Sequence, residues 1–177
     1  MDKYLLKNQE SERLYFRKVI PEDFDTWLPF YENPKSTQYW DGIENSPKEA
    51  CNKQFNTTFE RYTSDLGGMN ALILKDTGKL VGMCGLLLQK VDDLQELEIG
   101  YSTLPAYWQN GYAFEAAQKC KEFAFKNSFA SSLISIIHIN NVPSQKVALK
   151  NNMILDKTTT YKYNPVHIYR VSKTNIV

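Results

Sequence analysis

The chain has 177 residues, 42% of them apolar, and a formal net charge of +1 from 21 basic and 20 acidic side chains. That length and apolar share suit one domain, taken here as 1–177, and are short for two. Charges of both signs spread along the chain exclude a broad basic face for nucleic-acid phosphates, and no apolar run approaches the length of a membrane span. The first thirteen residues lack the apolar stretch of a secretory signal. Cys51, Cys84 and Cys120 stand in no zinc or redox spacing, so a reducing, cytoplasmic setting without a metal is expected.

In chain order, residues 14–19 alternate apolar and polar side chains, as a half-buried strand does. One helix is predicted within 20–34, opening with Pro21, Glu22 and Asp23 and ending before Pro34. A second is predicted across 46–65, where Ser46 is the cap, Pro47 follows and Glu49 takes the capping-box position. After Gly67 and Gly68, residues 69–75 and 79–89 flank Asp76-Thr77-Gly78 as a hairpin, and 94–104 completes a meander. On that third strand Leu94, Glu96 and Glu98 share one face, while Leu97 and Ile99 share the other.

The clearest helix spans 111–127, with Ala113, Ala116, Ala117, Cys120 and Ala124 at helical spacing. Such a small-residue stripe lets a helix lie close on a sheet, and Glu115–Lys119 and Glu122–Lys126 are expected to pair on its outer side. Residues 131–139 form a continuous apolar run, the pattern of a strand buried on both faces. Asn140, Asn141 and Val142-Pro143-Ser144 open a short helix that Asn151-Asn152 ends through a left-handed residue. Two strands, 154–165 and 166–173, close the chain. The order β-α-α-β-β-β-α-β-α-β-β predicts an α/β fold, a mixed sheet with helices on both faces. Its strand at 131–139 should run parallel to that at 94–104 through a right-handed crossover.

Between the strand at 94–104 and the next helix lies Trp108-Gln109-Asn110-Gly111-Tyr112-Ala113. A helix start leaves its first amides unpaired, and small residues before it let an anion approach; the same pattern also makes an ordinary turn. Three stretches set the loop in context. SERLYFRKVIPEDFDTW (11–27), LEIGYSTLPAYWQNGYAFEAAQ (97–118) and HINNVPSQKVALKNNM (138–153) resemble, in order and spacing, motifs of the GNAT N-acetyltransferase superfamily. More narrowly they resemble the branch that includes the ribosomal-protein alanine N-acetyltransferases.

The resemblance implies a GNAT-like fold, a mostly antiparallel sheet splayed at a central parallel pair, with acetyl-CoA as co-substrate. A bulge in the Glu98-Ile99-Gly100-Tyr101 strand would open the slot for the pantetheine arm. Backbone groups of Ser102, Thr103 and Leu104 would pair with pantetheine amides. Gln109, Asn110, Gly111, Tyr112 and Ala113 would hold the pyrophosphate, and Asn141 and Ser144 would face the thioester. The chain departs from the pattern at Trp108, where Arg or Gln is usual, and at Asn152-Met153 in place of Gly-Phe. It also has Ala148 where many members carry a tyrosine acid.

Acetylating an amine requires removal of a proton from it and donors at the departing sulfur. Glu98 is the candidate base, directly or through water; its alternative role is to orient the amine or to brace the fold. Glu96, on the same face, is its substitute. Ser144 is the candidate donor to the sulfur, with helix capping as its other reading. Asn141 reads as a cap that touches the cofactor, and His138 as a hydrogen-bonded core histidine. Tyr101, Tyr107 and Tyr112 read as packing residues with access to the acceptor cleft, Cys84 and Cys120 as small core residues. No Cys–His nucleophile is evident, so transfer should be direct. The function implied is a cytoplasmic N-acetyltransferase acting on a small-molecule or peptide N-terminal amine, with no nucleic-acid or membrane partner; a homodimer is compatible. The alternative is an acyl-CoA sensor or interaction module of the same fold without turnover.

Overall fold

The computed structural model describes residues 2–175. Its strands are β1 (Leu14–Lys18), β2 (Gly67–Leu74), β3 (Leu80–Val91), β4 (Leu94–Thr103), β5 (Ser132–His138), β6 (Ile154–Tyr161) and β7 (Asn164–Ser172). They form one seven-stranded sheet in the order β1-β2-β3-β4-β5-β7-β6. Only the β4–β5 pair is parallel. The helices are α1 (Phe24–Glu32), α2 (Pro34–Thr37), α3 (Pro47–Thr63), α4 (Tyr112–Lys126) and α5 (Val142–Lys150).

Local chemistry accounts for most boundaries. Ser46 Oγ accepts from the Glu49 amide at 3.4 Å and starts α3. Asn141 Oδ1 accepts from the Ser144 amide at 3.2 Å and starts α5, while Asn152, at φ 63°, turns the chain out of it. On one face of the sheet the small residues Ala116, Ala117, Cys120 and Ala124 of α4 are buried with Leu86, Leu97, Ile99 and Leu133. On the opposite face Trp27 of α1 and Cys51 and Phe55 of α3 pack with Ala71 and Met83. The meander, the crossover and the helices on two faces are therefore as the sequence predicts.

Three expectations are corrected. The helix expected to run from Pro21 and stop before Pro34 does stop there but opens as a 3₁₀ turn at Pro21–Asp23 before α1, and α2, which starts at Pro34, is a further helix that was not expected. Arg17 grips both Asp23 carboxylate oxygens at 2.7 Å and fixes the first turn, while Pro34 forces Asn33 into an extended conformation between α1 and α2. The Glu115–Lys119 and Glu122–Lys126 pairs do not form. Glu115 is taken by Ser11 and Arg13, and Glu122 accepts from Gln118 at 3.2 Å. The expected bulge in β4 is absent as well, since its register with β3 runs without a shift from Gly82↔Thr103 to Val91↔Leu94.

The sheet nevertheless opens beside β4. Its parallel pairing with β5 reduces to Glu98↔Ile134. One step further along, the Ser135 hydroxyl donates to the Ile99 carbonyl at 2.8 Å. Beyond these two links no further ladder pair joins the strands, and residues of both line a cavity.

Candidate active site

The parting of β4 and β5 opens into a cavity of about 880 Å³ that reaches from the start of α4 to the α1–α2 segment. At the α4 end, Gln109 (φ 63°) and Gly111 (φ 80°) are left-handed, and no side chain caps the helix. The first amides of α4 are thus free of side-chain caps, beside a residue without a Cβ. Trp108 Nε1 donates to the Thr103 carbonyl at 2.9 Å and draws the loop back onto the end of β4. Asn110 Nδ2 donates to the carbonyls of Tyr107 and Trp108, both at 3.0 Å.

A brace from the N-terminal segment holds this loop. Arg13 Nε donates to Glu115 Oε2 at 2.7 Å, its Nη1 donates to the Asn110 carbonyl at 3.0 Å, and its guanidinium lies 4.5 Å from the Tyr112 ring centre. Glu115 Oε1 accepts from Ser11 Oγ and the Arg13 amide, each at 2.7 Å. Burial opposes the charge of Glu115, but the hydrogen bonds from Ser11 and Arg13 outweigh it and hold the carboxyl below its usual range. A carboxylate in the first turn of an anion-binding helix would repel phosphates; the guanidinium on it removes that conflict.

At the centre, Glu98 lines the cavity and its Oε2 accepts from Gln89 Nε2 at 2.8 Å. Gln89 is held in turn by the Tyr161 hydroxyl, which donates to its Oε1 at 3.1 Å. Burial raises the Glu98 carboxyl above its usual value, partly offset by the Gln89 bond and the charge of Arg61. The next position on that face is Gly100, where a Cβ would lie 3.0 Å from Leu87 Cδ1 and 3.9 Å from Glu98 Oε1. Glycine there keeps the space in front of the carboxylate open. Across the gap, the Tyr101 hydroxyl donates to the Ser144 carbonyl at 2.7 Å, joining β4 to the start of α5. Burial pushes the Tyr101 phenol up, so it stays a neutral donor.

The structure brings Glu98, Ser102, Thr103, Gln109, Gly111, Tyr112, Ala113, Asn141 and Ser144 to this one cavity. Asn141 combines its capping bond with a place in the wall, and Tyr101, Tyr107 and Tyr112 line the cavity as well as packing. Leu104 does not join them. It is buried, its amide donates to Val81 at 2.9 Å and its carbonyl accepts from Tyr107 at 2.9 Å, leaving neither group for a ligand. Asn110 lies outside the wall and serves the loop. Glu96 is also outside, gripped by both Arg170 Nη atoms at 2.7 and 3.1 Å, and is no substitute for Glu98. His138 is buried with its Nδ1 accepting from the Asn140 amide at 3.2 Å, and the Cys84 and Cys120 sulfurs lie 3.5 Å apart in the core. Ala148 is fully buried and offers no acid.

Sequence reasoning missed Gln89, Tyr161 and the aromatic wall of Phe30, Tyr31, Tyr39 and Trp40. Gln89 was within reach of a finer reading: aligning the 79–89/94–104 hairpin sets it opposite Glu96 and diagonal to Glu98 on one face. Nothing local announces Tyr161, which is 72 residues from Gln89. Among the described residues no cluster suited to a metal ion occurs, and no helix is long and apolar enough to cross a membrane.

A mixed sheet with one parallel pair, beside an uncapped helix start, is the arrangement that the resemblance to GNAT acetyltransferases implies. Residues 13–154 match the family model described as acetyltransferase (GNAT) domain. The chain belongs to the GNAT acetyltransferase family. Among its relatives, YkkB of Bacillus subtilis is 27% identical over 168 residues, covering 93% of this chain and 95% of that one. The N-acetyltransferase YoaA of the same organism is 28% identical over 144 residues, covering 80% and 79%. Among solved structures, an acetyltransferase from Agrobacterium tumefaciens superposes with a TM-score of 0.79 at 22% identity, covering 95% of each chain. RimL, a ribosomal L7/L12 alpha-N-protein acetyltransferase in complex with coenzyme A, superposes at 0.72 with 13% identity, covering 93% of this chain and 97% of its own. At those identities the likeness is one of fold.

Proposed function

We propose that this protein transfers the acetyl group of acetyl-CoA directly to a primary amine, with Glu98 as the proton acceptor. The observation that carries this reading is the Glu98 carboxylate. It lies in the cavity wall at the last registered pair of β4 and β5, oriented by Gln89 and raised in pKa by burial. A carboxylate so shifted takes a proton more readily than an exposed one. RimL, named as a protein acetyltransferase and solved with coenzyme A, supports the choice of donor.

Acetyl-CoA, when bound, supplies an activated acyl carbon and a sulfur leaving group. The loop from Gln109 to Ala113 offers amides to its phosphates, and the Arg13 guanidinium neutralises Glu115 beside them. Edge groups of β4 at Ser102 and Thr103 line the passage for the arm. Glu98 receives the amine's proton, directly or through one water. The Ser144 hydroxyl, on the wall beside Asn141, gives a proton to the sulfur. Tyr101 fixes the backbone that carries Ser144.

The test is amine-dependent release of coenzyme A thiol by wild type and Glu98→Gln. With Glu98 as base, the variant's kcat should fall by about two to four orders of magnitude while acetyl-CoA affinity barely changes. Because the base works ionised and its pKa is raised, the wild-type rate should fall in acid starting at a higher pH than an ordinary carboxylate would set. A variant that loses only affinity for the amine would make Glu98 an orienting group. Stabilisation by acetyl-CoA with no turnover of any amine would favour the sensor reading.

A further inference from the structure

Beyond Glu98 the cavity continues into a chamber whose chemistry is uneven. Glu98 is the single carboxylate among the residues lining the cavity; the other charges are Lys35, Lys146 and Lys150. The chamber's floor is apolar, Leu87 and Met69 lying under Gly100. Its walls set aromatic rings beside the polar Ser36, Thr37, Gln38 and Gln54. Tyr31 comes from α1, packed with Met69 against the core under α1 and α3, and Trp40 comes from the segment after α2, packed on the Ile134–Ile136 side of β5. Tyr39 joins Trp40, and buried His138 sets both rings from behind at centroid distances of 6.1 Å, near-parallel to Tyr39 and edge-on to Trp40.

From this chamber we infer that the acceptor is an arylalkylamine, a primary amine carried by a short chain on a flat apolar ring. The inference rests on the amine-acetylation reading and names the substrate of that same site. An incoming ammonium finds one carboxylate and aromatic faces, which attract a cation, while the ring it carries finds aromatic and aliphatic walls. A polyamine would bring several positive charges to one carboxylate and three lysines. A peptide N-terminus would find Ser36, Thr37, Gln38 and Gln54 on the same wall, and is therefore the competitor the experiment must separate from a ring-bearing amine. In the transfer, the amine nitrogen bonds to the acyl carbon and the carbon–sulfur bond breaks. The amine's proton passes to Glu98, and the sulfur leaves with the electron pair and becomes the thiol of coenzyme A on taking a proton.

The experiment compares kcat/KM for phenethylamine, spermidine and an alanine-led tripeptide with saturating acetyl-CoA, for wild type, Trp40→Ala and Trp40→Phe. Phenethylamine should exceed both others by about tenfold or more. Trp40→Ala should raise its KM about tenfold with kcat kept within a small factor, and Trp40→Phe, which restores a ring, should recover most of that loss. Equal or better use of spermidine or the tripeptide overturns the substrate class, as does a phenethylamine KM that Trp40→Ala leaves alone. Turnover of those other amines without phenethylamine defeats the class but leaves acetyl transfer standing. Failure with every amine, while acetyl-CoA still shifts the melting temperature, defeats both.

Discussion

Glu98 occupies a strand position that a hydrophobic residue would fill at less cost, because burial disfavours its charged form. Its carboxyl pKa is higher in the folded chain than in the unfolded one. Ionisation therefore opposes folding: the penalty is absent below the unfolded pKa, grows as pH rises, and is complete above the folded pKa. Glu98→Gln keeps an oxygen for the Gln89 amide and removes the charge. The variant should melt a few degrees higher than wild type at about pH 7, and the difference should vanish at about pH 4, read by thermal melts at both. An equal gain at both pH values would mean that ionisation of Glu98 is not what burial penalises. That strand alternation sets Glu96 and Glu98 on one face was legible in the sequence. What separates them was not: Arg170, 74 residues from Glu96, takes that carboxylate out of play.

At the scale of elements, the strand, loop and helix from β4 to α4 are where we propose that the donor binds. Gly111 stands at φ 80° in that loop, and a Cβ there would meet Arg13 Nη2 at 3.4 Å. Gly111→Val should abolish the acetyl-CoA thermal shift while circular dichroism shows the fold retained; an unchanged shift would remove the phosphate site from the loop. Arg13→Ala should weaken acetyl-CoA binding about tenfold in calorimetry, since Glu115 would then face the phosphates uncompensated, and should leave kcat at saturation nearly intact. A fall in kcat alone would place Arg13 outside the cofactor site. Short-range features of these elements were legible, among them the Ser46 and Asn141 caps, the small-residue stripe and the Asn152 turn, because each is decided within a few residues. The Glu115–Lys119 pair on α4 failed because Glu115 found Arg13, 102 residues away, at a site where three donors converge, and Glu122 instead accepts from Gln118. The β4 bulge failed because it came from resemblance alone; the ladder between β4 and β5 stops at one registered pair without it.

For the whole molecule, the continuous apolar run of β5 and its crossover from β4 foretold the one parallel pair of the sheet. That pair is where the cavity opens. The aromatic side of the cavity was hidden because it is assembled from segments that no local pattern links, α1 and the stretch after α2, and Tyr161, which holds Gln89, comes from the end of β6. The claim of direct transfer is tested most directly with acetyl-CoA carrying an isotopic label in its acetyl group. The protein is incubated with it alone, then with a panel of primary amines, and label is counted on the protein and on the amines. Before amine is added the acid-precipitated protein should carry no label; afterwards, label should appear in an amide product in step with coenzyme A thiol. Label held covalently by the protein, or acetyl-CoA bound with no label reaching any amine, would contradict it.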